Sequence, residues 1–388
     1  MNKIEDLNTA FKIHRGDIED ILSNLTELAS VPAPPLKEDD RRKRFLEILK
    51  GNKITESKVD EFGNVLIPLS SGKDLPIILI ATNIDSAFDH TIKHSVLFSS
   101  DKAMGPGVGE NVIALSILPI LYRIFKEQHS IFNHNILIAA TTGGLGNGDF
   151  YGMRGIIKKY SNRIKSAIIL RGIDFGRVGY QSPTISRQII TVRTKNIRKE
   201  AITWLNNPIC ILSSFIRELD SFQQNHPGIN SINIPFFRGG NDFDGITSLA
   251  SLGLEIIAEE ENALFELEEK ITNLLKTRLR EENQFNIEVI SSVLPGGIDK
   301  EHEVLKQLSL IYDWISKNDN IPVKYRLGFS TSEASIPMSQ DILTLELGIT
   351  NGMNNRYLDD FIYLKPILSG IKQVLFLIYF LNEYLKEK

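Results

Sequence analysis

The sequence predicts an α/β protein, a mixed sheet flanked by helices, with a small α+β domain inserted into it. Three observations carry this. Continuous apolar runs at 76–81, 135–140 and 167–170 have the character of strands buried on both faces, and helical stretches separate them. The rhythm changes near residue 188, and Pro295-Gly296-Gly297 closes the altered stretch. The 388 residues suffice for two or three domains, and 42% apolar with 24% charged residues excludes disorder as the main state.

Along the chain, apolar positions at helical spacing (Ile4, Leu7, Phe11, Ile18, Ile21, Leu22, Leu25, Leu28) predict a helix over 3–29. It stops at Val31-Pro32-Ala33-Pro34-Pro35, where proline removes amide donors. A helix over 39–49, a turn at Gly63 and a strand over 64–69 follow. The strand at 76–81 leads to a helix over 111–125, and then come the strands at 135–140 and 167–170. In the altered stretch the order is a strand at 188–193, a helix at 208–222, a loop with His226, Pro227 and Gly228, strands at 232–237 and 252–258, and an amphipathic helix at 263–279. The remainder reads as helix 301–317, turn 328–332, strand 342–347 and helix 364–384. The expected domains are therefore 1–187 with 293–388, and 188–292 inserted between them.

Charge and cysteine content exclude several classes. With 44 Lys and Arg against 48 Asp and Glu, the net charge is −4, which argues against a nucleic-acid binder that works by neutralising phosphates. Cys210 is the only cysteine, so neither an intrachain disulfide nor a cysteine-built zinc site is available. The stretch Met1 to Glu19 lacks the apolar core of a signal peptide, and Val374 to Leu381 is far short of the ~20 residues of a membrane span. A cytoplasmic, reducing location without a membrane partner is the expectation.

A set of motifs then appears in order. Leu28-Ala29-Ser30-Val31-Pro32 with Glu38 is followed by Asp60-Glu61-Phe62-Gly63-Asn64-Val65, Asn83-Ile84-Asp85 and Gly105-Pro106-Gly107-Val108-Gly109-Glu110-Asn111. Next come Gly144-Leu145-Gly146 with Tyr151-Gly152-Met153, Phe237-Arg238-Gly239-Gly240 and Leu294-Pro295-Gly296-Gly297. Gly328-Phe329-Ser330-Thr331 and Gly352-Met353 through Arg356 to Asp359-Asp360 complete it. The ordered set resembles the aminoacylase/carboxypeptidase family of di-zinc exopeptidases, which includes tripeptidase T, acetylornithine deacetylase and succinyl-diaminopimelate desuccinylase. The resemblance spans nearly the whole chain. It implies a zinc-exopeptidase-like sheet, with the inserted domain as a lid and dimerisation domain.

The same resemblance implies two zinc ions held by His and carboxylates that activate a water on an amide. Here the ligand positions are degenerate. Asn83 stands for a His, and Asp85 remains. Glu110 takes the place of a bridging Asp. Thr142 and Gly143 lie where a Glu-Glu pair belongs. Arg171 stands at an acidic position and Arg356 at a second His, with Asp359 and Asp360 behind it. The stretch Thr194 to Lys199 lacks the lid His, and Ala258 stands where a substrate-binding Arg is expected. Asn binds zinc poorly and Arg not at all, and no base remains to deprotonate water.

Simpler readings hold elsewhere. None of the seven histidines has ligand-like spacing, although His90 and His94 follow Asp85 on a loop. The glycine runs at 105–109 and 143–148 match no phosphate-loop pattern. Glu259-Glu260-Glu261 and Glu281-Glu282 read as solvated lid surface, and Arg41-Arg42-Lys43-Arg44 as a helix face paired locally with Asp39 and Asp40. Ser330, Thr331 and Ser332 read as a hydroxyl-rich turn.

The leading expectation is a catalytically degenerate protein that keeps its cleft, built from Asn83, Asp85, Glu110, Thr142, Gly143, Arg171, Arg356 and Asp360, as a surface for an amino-acid-like or peptide ligand or a partner. No metal or other cofactor is expected, and a homodimer through the lid is. One alternative is a metal-independent enzyme acting on an amide or amino-acid-like substrate; a second is a metallopeptidase or deacylase with a rebuilt metal site. The arginines at lost ligand positions are expected to fill the zinc volume, with Arg171 and Arg356 pairing Asp85 and Glu110.

Overall fold

The computed structural model describes the chain except at residues 1, 73, 196–202, 204–205, 226–227, 244–246, 280–283, 355 and 388. The expectations for His226-Pro227, Asn196 to Lys199 and Glu281-Glu282 lie outside the described residues. The chain forms two compact units, Met1–Gln181 with Gly297–Lys388, and Ser182–Gly296.

The first unit is built on a mixed sheet ordered Lys58–Val59, Val65–Leu69, Asn135–Thr141, Ile77–Asn83, Ile164–Arg171, Leu343–Gly348 and Arg177–Ser182. The strands Asn135–Thr141, Ile77–Asn83, Ile164–Arg171 and Leu343–Gly348 run parallel. Every residue of Ile77–Asn83 and Asn135–Thr141 is buried, as unbroken apolar runs require when helices cover both faces. The helix Ile113–Glu127 packs in this core, entered through a π-helical turn at Val108–Val112. The stretch Val108–Glu127 is long and apolar enough to cross a membrane, but 94% of its apolar window is buried inside the molecule.

The single helix expected over 3–29 is two helices, Asn2–Ala10 and Arg15–Ala29. The Asp17 carboxylate accepts the His14 N–H at 2.7 Å, which starts the second helix afresh. The turn expected at 328–332 begins as a strand, Arg326–Phe329, parallel to Arg177–Ser182. A small sheet of Leu97–Phe98, Lys102–Met104, Gly352–Met353 and Phe361–Tyr363 carries no periodic signal, because its strands have only two or three residues.

The second unit is an antiparallel sheet ordered Ile229–Asn233, Leu249–Ala258, Thr184–Arg193 and Gln284–Val293, with helices Pro208–Asn225 and Glu261–Arg278. Ile190, Val192, Leu252 and Leu254 from the strands bury against Leu212, Phe215, Leu267 and Ile271 from the helices. Its limits lie outside 188–292 because Thr184–Arg193 pairs along its full length with Leu249–Ala258, and Val293 still pairs with Ile185. The strand expected at 232–237 divides into Ile229–Asn233 and Phe237–Gly239, with Pro235, which has no amide donor, between them.

Candidate functional site

The carboxyl ends of the parallel strands place a dense set of charged groups at one edge of the sheet, where open α/β sheets bind ligands. Asp85 follows Ile77–Asn83 and is fully buried. It accepts hydrogen bonds from Asn83 Nδ2 at 2.6 Å, Gly144 N–H at 3.0 Å and Leu145 N–H at 2.8 Å. Burial nevertheless pushes its carboxyl up to about 6, and nearby Glu38 adds to the rise.

Glu110 sits on the π-helical turn, also fully buried. Its carboxylate accepts Ala87 N–H at 3.0 Å and Arg356 Nε at 2.9 Å. Arg356 adopts a left-handed backbone conformation, φ 69°, that side chains rarely take. Asp360 accepts Gly109 N–H at 2.9 Å through one oxygen, while its other oxygen is buried without a partner. Burial, with Glu110 and Asp359 nearby, pushes Asp360 up to about 7 against the Gly109 hydrogen bond.

Thr142 and Gly143 lie beside these groups but present no acid. The Thr142 hydroxyl donates to Phe62 O at 2.8 Å, and Gly143 N–H donates to Glu38 at 2.8 Å. Gly143 has φ +60°, and a Cβ on Gly144 would stand 2.6 Å from the Asn83 Cβ. Longer side chains there would collide with the asparagine or strain the turn.

Two expectations need correction. Arg171 reaches neither Asp85 nor Glu110. Its nearest acid is Glu346, with Nη1 to Oε2 at 3.9 Å, because the parallel register sets Gly348 beside Arg171 and Glu346 beside Ile169. Arg41 does not pair locally with Asp39 or Asp40, although Arg42, Lys43 and Arg44 do pair with Asp39, Asp40 and Glu47. Arg41 is fully buried and donates to Val31 O (2.9 Å), Ile84 O (2.9 Å) and Ser86 Oγ (3.3 Å). Burial lowers its pKa to about 10, opposed by the fields of Asp85, Glu110 and Glu38. A buried cation thus sits in the field of the Asp85, Glu110 and Glu38 carboxylates.

Sequence reasoning also passed over Glu333, Glu346 and Arg177. Glu346 is buried between Arg177 Nη1 (3.0 Å to Oε1) and Ser330 Oγ (2.8 Å to Oε2). Burial pushes its carboxyl upward, but Arg171, Ser332, Arg177 and Ser330 together hold it below the usual range. Glu333 accepts the Thr141 hydroxyl at 2.5 Å and keeps its other oxygen unpartnered. Burial pushes it up to about 8. A signal for buried Arg41 was present, but none for these three. Arg41 occupies the buried stripe Arg41, Phe45, Ile48, Leu49, whereas Glu346 falls on the polar positions of the alternation Leu343, Leu345, Leu347 and gives no sign that it is buried.

The loop histidines stay apart. His90 is exposed, and both ring nitrogens of His94 face carbonyl oxygens, Ala29 O at 3.3 Å and Asp89 O at 2.8 Å.

No protein-family profile and no curated protein matches the sequence. Solved structures do match. The aminopeptidase PepT from Bacillus cereus aligns over 93% of this chain and 98% of its own, with TM-score 0.68 and 14% identity. The dipeptidase Dug1p from Saccharomyces cerevisiae aligns over 97% and 98%, with TM-score 0.73 and 13% identity. A dinuclear metal-binding peptidase of the M20 family from Bacillus subtilis aligns over 95% and 99%, with TM-score 0.65 and 11% identity. The chain has the fold of M20-family di-zinc peptidases.

The residues at the strand ends do not fit a zinc pair. The donor set offers no imidazole, and Asn83 turns its amide N–H groups onto Asp85. A guanidinium nitrogen already occupies Glu110 at 2.9 Å. Among the described residues, no three His, Cys, Asp or Glu side chains are grouped to share a metal ion.

Proposed function

We propose that this chain is a non-hydrolytic protein on the exopeptidase fold, keeping its cleft as a binding surface for an amino-acid-like or peptide ligand. The observation that carries this reading is the Arg356–Glu110 contact at 2.9 Å, with a guanidinium on the carboxylate that would bridge the metals. The steric limits at Gly143 and Gly144 support it, since a general base has no place there. The second unit would act as a lid and as the surface for a homodimer. Support comes from its edge strand Gln284–Val293, which pairs only on its Thr184–Arg193 side among the described residues and exposes Val289.

The test is elemental analysis of purified protein together with assays on di- and tripeptides and acyl-amino acids. Substoichiometric zinc and no hydrolysis, with heat stabilisation by members of the same set, are the expected results. One or more zinc ions per chain with chelator-sensitive hydrolysis would overturn the reading. Light scattering at micromolar concentration checks the dimer.

A further inference from the structure

Arg171 ends the strand Ile164–Arg171 and lines a cavity of about 290 Å³, together with Ile173, Asp174, Arg177, Thr331 and Glu346. A guanidinium carries five N–H donors, and burial makes unmet donors costly. The Arg171 side chain is only 26% exposed, and among the described residues its guanidinium makes no hydrogen bond, its ion contact being 3.9 Å long. Its closest acceptor, Glu346 Oε2, is 3.9 Å away and is already held by Ser330 Oγ at 2.8 Å. The other Glu346 oxygen is taken by Arg177 at 3.0 Å. Thr331 is exposed at the cavity, where its hydroxyl can serve as a further donor.

We propose that this cavity binds the carboxylate of a small organic acid, received by the Arg171 fork. The inference rests on reading the cleft as a binding surface and names the ligand chemistry. Charge favours a monoanion over a dianion. Arg171 and Arg177 bring two positive charges and Glu346 one negative, while Asp174 is matched by Arg326 at 3.4 Å. Glu333, held protonated at neutral pH by burial, does not cancel the remainder. One net positive charge suits a monovalent carboxylate, which a guanidinium meets with two parallel hydrogen bonds. A phosphate dianion would leave charge over. The volume lies at the lower edge of the range for small-molecule sites, so the ligand is a small acid and not an extended chain.

The experiment is calorimetric titration of the full chain with acetate, propionate and inorganic phosphate at matched ionic strength, on the parent and on Arg171→Gln, Arg171→Lys and Arg44→Gln. Saturable acetate or propionate binding is expected. It weakens by about tenfold or more in Arg171→Gln, by less in Arg171→Lys, and not at all in the remote surface control. If Arg171→Gln does not fold, the Arg171→Lys comparison decides, because it keeps the charge and removes the fork. No saturable carboxylate binding, tighter binding of phosphate than of either acid, or affinity indifferent to residue 171 would each overturn the proposal. Peptide hydrolysis with Arg171-dependent carboxylate binding intact would overturn the non-hydrolytic reading and leave this site standing.

Discussion

Asp85 and Glu110 are both met from within the protein, by Asn83, by backbone N–H groups and by Arg356, with the Arg41 charge acting on both. Around Arg171, the adjoining acids are already engaged and a guanidinium keeps all its donors. The two flanks of one sheet edge thus balance charge differently. Where partners are complete, removing one exposes a buried charge and the fold suffers. Where a donor is left over, removal costs the fold little and a ligand much.

The largest effect is expected at Arg41. Arg41→Met removes a buried cation and leaves Asp85, Glu110 and Glu38 without its field, so urea unfolding should show a loss of about 3–5 kcal/mol. A near-neutral result would break the contrast between the flanks.

The buried acids of both flanks set the pH response. Asp85, Asp360 and Glu333 hold their protons up to about 6, 7 and 8 in the fold. In the unfolded chain such acids release them near pH ~4. The folded state therefore binds more protons across this interval. Its stability is greatest below about pH 4 on account of these groups and falls as pH rises toward 8, by at most about 1.4 kcal/mol per pH unit per group. Urea midpoints at pH 5, 6.5 and 8 should decline in that order, and Glu333→Gln should flatten the upper part. A rising series would refute the assignment.

Arg356→Ala should cost about 1–3 kcal/mol, less than Arg41→Met. The Arg356 side chain is 55% exposed, and Glu110 keeps the Ala87 N–H after it is lost. Arg356→His should leave hydrolysis absent. The smallest effect on stability is expected for Arg171→Gln, under about 1 kcal/mol, since its one ion contact is long and partly solvated. A loss matching that of Arg41→Met would mean that both flanks are closed in the same way.

Much of this was legible in the residues. The apolar runs that became Ile77–Asn83 and Asn135–Thr141 mark strands buried on both faces, because burial is written in local composition. Asn83, Arg171 and Arg356, which the resemblance sets at expected ligand positions, pointed to a changed site, because donor chemistry belongs to the residue type. Tertiary structure alone chose the partners. Arg356 meets Glu110 across 246 positions, and Arg177 meets Glu346 across 169. Arg41 looked like one member of a basic surface run until helix packing turned it inward, apart from Arg42 and Arg44. Ion pairing depends on distance in space and on burial, and a one-dimensional pattern fixes neither for groups so far apart in the chain.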